Sequence, residues 1–487
     1  MKFFFVDFLV LLLLLSVTTP FVECHPSLAA SARSFNRRVP GITDVLSQIQ
    51  PDGTSSRIRS LLSTSPAPSV VIVTDFGAVG DGVFDNTASF ALAVAAVSSG
   101  GIVFVPAGLF SFGANTAVVC NGTKTITASI CLTEGVSLVG TYETVPAHGL
   151  NRGPTPGDGS TLLPRAGRGN DTGPNFIYIP TDSTIRGFTI WYPEQLNSEA
   201  PQPYPYTVLM RGDNAAVTDV ELLNSYNGIS ADGAPRHYIA RVQGQPTNVG
   251  IFVDQTYDIG RIEDVHWNPW FSVTPAYVAH QTTQGVGFLI ARTDWEYVLN
   301  TFVFAMSIGY RFIDSAEGSC NGNFVGIGAD ACQNASVQVD AADPWGIAIV
   351  NGEFTSFTGG FGPDVGGHTQ IVVSGSNAGA VRFVSSAFWG PSNQIALING
   401  TGSVGFESCL FNNWDVKNEG RAAINVFGGD ILVRGSDFQT PHSGGQVLLG
   451  ANVGKAIIAH NIIKGHLNVT DLGAKVPIIK DNAADGP

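Results

Sequence analysis

Residues 262–267 read IEDVHW, apolar at the first, fourth and sixth positions, and the phrase recurs as IRGFTI at 185–190 and VTDVEL at 217–222. Related phrases begin at Val381 (VRFVSSAF), Val404 (VGFESCLF), Ile431 (ILVRGSDF) and Ala456 (AIIAHNII), in steps of 23, 27 and 25 residues. Short strands repeating at this length, punctuated by Gly, Asn, Asp and Ser, define a solenoid or a propeller. No four-strand blade signature occurs, so a solenoid is expected. One turn cannot bury its apolar face alone. Stacked turns share a continuous core, which gives the 44% of hydrophobic residues a place to be buried.

Alternate side chains of a strand face opposite ways, so the residue before the last apolar one points outward. Those outward positions read Thr189, Glu221 and His266, then Glu353 if IVNGEF at 349–354 is the same phrase, and later Ala387 and Leu410. Stacked about 4.8 Å apart, they form a stripe that is polar in the middle and apolar late. Glu221 and Glu353 become candidate substrate-binding residues, and His266 a candidate catalytic one. A register slip of one residue would turn every side chain over.

The surroundings of the first phrase, IFVDQTYDIGRIEDVHWNPW at 251–270, concentrate charge and tryptophan in a chain only 13% charged. Trp267 ends the phrase on an inward position and reads as core. Glu263 and Asp264 read as charges of a bend, and Asp254 and Asp258 also suit Asx-turns. Asp254, Arg261, His266 and Trp270 remain candidate site residues. Downstream, ARTDWEY at 291–297 supplies Arg292, Asp294 and Glu296. Residues two apart on a strand share a face about 6.5–7 Å apart, within the roughly 6.5–9.5 Å that separates the carboxyls of inverting glycosidases. The expected catalytic set is Asp254, Asp294 and Glu296 with His266 assisting, while Trp191, Trp270, Arg261 and Arg292 hold the sugar. A solvated turn or an ion pair with Arg292 is the competing reading of Asp294 and Glu296.

Nearer the N-terminus, DFGAVGDG at 75–82, DNTASFALAV at 85–94 and GGIVFVPAG at 100–108 follow one another as turn, helix, strand and turn. Asn86 or Thr87 is placed to cap the helix, and Gly100-Gly101 to stop it. This opening resembles pectate-lyase-superfamily proteins, in particular the branch related to polygalacturonases and rhamnogalacturonases. The resemblance implies an all-β fold, a right-handed single-stranded parallel β-helix with a short N-terminal capping helix. The Asn-Thr-Asp, Asp-Asp, Gly-His-Gly and Arg-x-Lys motifs of polygalacturonases are absent here, so no catalytic residue is carried over from them.

The ends and the cysteines point to export. Lys2 followed by an apolar run at 3–17 reads as a signal peptide over 1–24. Residues 25–68 read as a poorly ordered leader, 69–473 as the β-helix and 474–487 as a loose tail. The segment 143–173 reads as a long loop. Cys120 with Cys131, and Cys320 with Cys332, bracket short loops and are expected to pair in an oxidising compartment, leaving Cys409 buried. N-x-S/T sequons at Asn121, Asn170, Asn334, Asn399 and Asn468 suit a secreted glycoprotein. A net charge of −14 argues against nucleic acid as a partner, and no later stretch is apolar and long enough to span a membrane.

The expected function is a secreted carbohydrate-active enzyme, a glycoside hydrolase that cleaves a cell-wall or matrix polysaccharide, such as a pectin-like uronan, without a cofactor or metal. The alternatives are a polysaccharide lyase, for which Ca²⁺ would neutralise a uronate, and a non-catalytic glycan-binding or wall-structural protein. The sequence leaves the oligomeric state open.

Overall fold

The computed structural model describes residues 69–113, 118–120, 126–148, 153–356, 369–441 and 444–486. The expected signal peptide, the expected leader and the Asn121 sequon lie outside the described residues.

The recurring phrase is a corner. Its third residue in IRGFTI, VTDVEL and IEDVHW (Gly187, Asp219, Asp264) has positive φ, and so do Arg241, Asn300, Gly326, Asn351, Ser385, Ser408, Gly435, His460 and Asp481 at the equivalent points of other rungs. One left-handed residue turns the strand without breaking its backbone pairing to the next rung. Each rung therefore runs along a first sheet, turns this corner into a second sheet, and returns through a third.

The first and second sheets are two faces of one ladder bent at this corner and the third is a separate ladder; their pairings are parallel, apart from one short antiparallel strand that starts the third. In the first sheet a single inward column runs Ile185, Val217, Ile239, Ile262, Val298, Phe324, Ile349, Phe383, Phe406, Val433 and Ile458, each in register with the next. The third sheet stacks Ile177, Val208, Ile229, Ile251, Phe288, Tyr310 and Val337 in the same way. These columns meet in one continuous buried core. The arrangement is a single-chain parallel β-helix, and the known bias of parallel crossovers makes its coil right-handed.

The inward column of the second sheet becomes aromatic late. Phe354 stacks on Phe388, Phe388 on Phe411 and Phe411 on Phe438, with ring centroids 5.5, 5.3 and 4.6 Å apart. Trp267, fully buried, occupies the same column earlier. Its neighbours explain the fit: it pairs with Gly244, and a Cβ on Gly250 would lie 2.6 Å from its Nε1.

The capping helix α1 spans Thr87–Ala95 and lays Phe90, Ala93 and Val94 on the end of the core. Asn86 precedes it but makes no side-chain cap. Its amide instead bonds Val79 N (2.7 Å), Phe84 O (2.8 Å) and Ser111 O (3.1 Å), tying the preceding glycine turn to the next rung.

Three expectations need correction. The tail is not loose, because Val476–Lys480 and Ala483–Gly486 pair with Val453–Ala459 and Ile462–His466 as a further rung. The long loop at 143–173 contains a buried strand, Ser160–Pro164. Cys120 and Cys131 form a disulfide with Cα atoms 5.2 Å apart, but Cys320 and Cys332 are separate buried thiols. Both fill core positions, Cys320 just before the strand Gly322–Val325 and Cys332 just before Ala335–Val339, so their spacing reflects the rung and not a cross-linked loop. Burial pushes the Cys332 thiol up to about 12.

Candidate active-site groove

The outward stripe read from the sequence is present in register. Thr189 pairs with Glu221, Glu221 with Gln243, Gln243 with His266, His266 with Phe302, Phe302 with Gly328, Gly328 with Glu353, and the column continues through Ala387 and Leu410. Gln243, Phe302 and Gly328 were missing from the sequence reading. Phe302 and Gly328 hide because Asn300 and Gly326 split their phrases into two strands.

Two sets of inserted loops border this face. Residues 140–148 and 153–159 lie at the corner between the first and second sheets, and 191–205 and 268–285 at the corner between the second and third. The last insertion carries helix α2, Pro275–Gln284. The two insertions lock together: Ser272 Oγ and Thr274 Oγ1 both donate to Asn197 O, at 2.5 and 2.6 Å. Trp191 packs beneath them against Leu223, Phe271 and Tyr277. It serves this wall, and its Nε1 is buried without a hydrogen-bond partner.

Glu221 is buried under the first loop. It accepts from His148 N (2.7 Å) and from Thr189 Oγ1 (2.9 Å), and its other contact is His148 Nδ1 at 2.5 Å. Gln243 Nε2 donates to Pro146 O at 2.7 Å. This strap closes the upstream end of the face, so Glu221 acts as a loop anchor and is not open to substrate. Glu221→Ala leaves the His148 amide and the Thr189 hydroxyl without their acceptor. The expected cost is about 1–3 kcal/mol, with faster limited proteolysis within 143–148. Unchanged cleavage kinetics would contradict the anchor.

Beyond the strap the face opens. His266 meets the edges of Trp270 and Phe302, with centroids 4.7 and 5.1 Å away, and its Nε2 is buried without a partner. Burial holds its imidazole below the ordinary value. Next comes a trough of about 370 Å³ lined by Phe302, Ile327, Gly328, Glu353 and the corner residues Asn300 and Asn351. Gly328 makes the room, since a Cβ there would lie 2.9 Å from the Phe302 ring. Asp330 follows on the same strand, Gly328–Asp330, two residues on and so on the same face. Burial raises its carboxyl to about 6, against a small opposing effect of the Ala331 backbone, and its Oδ1 is buried without a hydrogen-bond partner. Glu353 pairs with Gly328 and is exposed. One rung across and two residues along places the Asp330 and Glu353 Cα atoms about 8 Å apart. Sequence reasoning missed Asp330 because its signal is burial. Its place two residues past an outward glycine in GIGAD was readable.

The remaining predicted residues gather at another corner, between the third and first sheets. Asp254 is largely buried and accepts from Gln255 N (2.8 Å), Arg292 N (3.1 Å) and Ser315 Oγ (2.9 Å), as a peg for that turn. Asp294 receives both arms of Arg292, at 2.7 and 3.1 Å. Glu296 does not share its face. Trp295 has φ of 53°, which breaks the alternation, and the strand begins only at Glu296. Glu296 is fully buried, 3.0 Å from His237 Nε2, and accepts from Thr293 Oγ1 at 2.8 Å. His237 Nδ1 faces Ala234 O at 3.0 Å. Both imidazole nitrogens thus face acceptors, which calls for a donor on each and hence the cation. Burial lowers the His237 pKa, but the charge and hydrogen bond of Glu296 outweigh it and the net shift is upward. Arg261 is exposed at the start of the strand Arg261–Trp267. The pairing expected of Asp294 and Glu296 is therefore replaced by a surface ion pair above a buried one.

Among the described residues no cluster of three or more His, Cys, Asp or Glu side chains is arranged to hold a metal ion, and no helix is long and apolar enough to cross a membrane.

Fold and groove define the class: a parallel β-helix with one sheet face walled by loops and bearing carboxyl and aromatic side chains. No family model matches the chain, and no curated protein matches it. Among solved structures it is similar to PfbA, a surface adhesin of Streptococcus pneumoniae, at 12% identity over 85% of this chain and 93% of that one, with a TM-score of 0.38. It is also similar to bacteriophage phi29 gene product 12 at 15% identity, over 87% and 58% of the two chains, with a TM-score of 0.44. A family 28 exopolygalacturonase of Yersinia enterocolitica matches at 12% identity, over 86% and 78%, with a TM-score of 0.37. The likeness is one of fold alone.

Proposed function

We propose that the protein is an extracellular glycoside hydrolase that cleaves a polysaccharide in the groove on the second sheet. Asp330 is the general acid and Glu353 the general base, while Phe302, Trp270 and His266 carry the sugar rings upstream. One observation carries this reading: a half-buried carboxyl with its pKa raised to about 6 stands on the same outward strand face as the exposed Glu353, which lines the trough. A raised acid that keeps its proton can deliver it to a leaving oxygen, while a solvated carboxylate can activate water. With Cα atoms about 8 Å apart on one face, the two side chains leave room for that water, and inversion is the expected outcome. The Cys120–Cys131 disulfide and the exposed side chains of Asn170, Asn334, Asn399 and Asn468 support an oxidising, glycosylating compartment.

Incubation with a polysaccharide panel should release reducing ends, and the first anomer formed, read by NMR, should be inverted relative to the linkage cleaved. Unsaturated products absorbing in the near ultraviolet would replace this reading by β-elimination. Retention without cleavage would replace it by binding alone.

A further inference from the structure

Solvent-exposed tryptophan is costly to display, and the chain displays two close together. A cleft of about 610 Å³ at the corner between the third and first sheets is lined by Tyr257, Asp258, Ile259, Asp294, Trp295, Asn321 and Trp345. Trp345 is 85% exposed, Trp295 62% and Tyr257 51%. Neither tryptophan belongs to the buried core. Trp345 follows a proline in a turn, and Trp295 holds a left-handed conformation that directs its ring away from the core. Grouped flat apolar faces beside hydrogen-bonding groups mark a binding surface.

The polar groups select the ligand. Two of the cations at this corner are held by carboxylates, Arg292 by Asp294 and Asp343 and Arg236 by Asp213 and Asp258, so these four aspartates outnumber the three arginines with exposed Arg261 included. Arg292 also lies 5.3 Å from the centre of the Tyr257 ring, on which it stacks. Asn321 donates to both Asp294 and Asp343, at 3.2 and 3.1 Å, and holds Trp295 N at 2.9 Å. The corner therefore presents excess carboxylate, which repels a polyanion and accepts hydrogen bonds from hydroxyls. Pyranose rings offer apolar C–H faces to the aromatics and hydroxyl edges to the carboxylates.

We propose that this cleft binds a neutral hexose-based polysaccharide, stacked on Trp345, Trp295 and Tyr257, at a site separate from the groove on the second sheet. The site lies on the opposite side of the rung from that sheet. It would hold the enzyme on an insoluble or long glycan whichever face performs cleavage.

The test is affinity electrophoresis of the full-length protein in gels containing mixed-linkage β-glucan, xyloglucan, galactomannan or polygalacturonate. At least one neutral glycan should retard the protein, and polygalacturonate should not. Trp345→Ala and Trp295→Ala should each weaken the retardation about tenfold, equivalent to about 1.4 kcal/mol. Both rings are exposed, and unchanged circular dichroism and melting would verify the fold. Three results would overturn the proposal: no retardation by any neutral glycan, retardation by polygalacturonate alone, or equal retardation of wild type and both variants. Reducing-end release measured in parallel reports on the groove independently.

Discussion

Asp330→Asn is expected to lower kcat on a polysaccharide substrate by a factor on the order of 10² to 10⁴, and Glu353→Gln by a similar factor, with little change in melting for the latter. The amide matches the carboxyl in size but cannot deliver a proton. Because the burial of Asp330 raises its carboxyl to about 6, kcat/KM of the wild type should fall as pH rises through that value, where the acid loses its proton. Asp330→Asn should lack that limb along with most of the activity. Stability has the same sign. A carboxyl raised in the folded state binds more protons than the unfolded chain between its ordinary 3.8 and about 6, so stability declines as pH rises across that window and Asp330→Asn flattens the decline. An activity that survives both substitutions places catalysis elsewhere on the molecule.

Glu296→Ala should be strongly destabilising. It strips a fully buried histidine of its counter-charge and leaves the Thr293 hydroxyl unpaired. Breaking a buried pair by removing one partner costs about 3–5 kcal/mol, read as a lower denaturant midpoint. The pair also gives stability a pH dependence. His237 has its pKa raised above the ordinary 6.5 by folding, so its contribution is fully present below 6.5 and fades as pH climbs through the raised value. Glu296→Gln should remove that alkaline decline while keeping the shape of the side chain. A variant as stable as wild type at pH 6 would show that the pair holds nothing together.

How far the chain could be read follows from which physical signals are local. The phrase IEDVHW carried its corner and its alternation, so the outward stripe Thr189, Glu221, His266 and Glu353 fell on one column. What failed depended on a single backbone conformation or on distant cover. Trp295 in the left-handed region separated Asp294 from Glu296, and no sequence pattern marks a tryptophan for that role. Glu221 reads as an open carboxylate until the loop bearing His148 folds over it. Asp330 reads as an ordinary surface aspartate until its surroundings half-bury it. Trp345, in the turn signal DPWG, was passed over because turns are read for glycine and proline and seldom for a ring left in water.

The corner of left-handed residues divides the molecule into what can change and what cannot. Between the first and second sheets the turn is one residue long on most rungs, the exception being the insertion that starts after Val139, across which both flanking strands keep their register with Thr184–Ile190. The other two corners carry every long excursion after the first rungs, from the α2 insertion to the turn that bears Trp345. Insertions there lengthen loops at a cost that grows only slowly with length. Selection can thus rebuild the walls of the groove or the rings of the cleft residue by residue, while the stacked columns beneath keep the same spacing. In evolutionary terms the coil is a rail of fixed gauge, and specificity is what is bolted to two of its three edges.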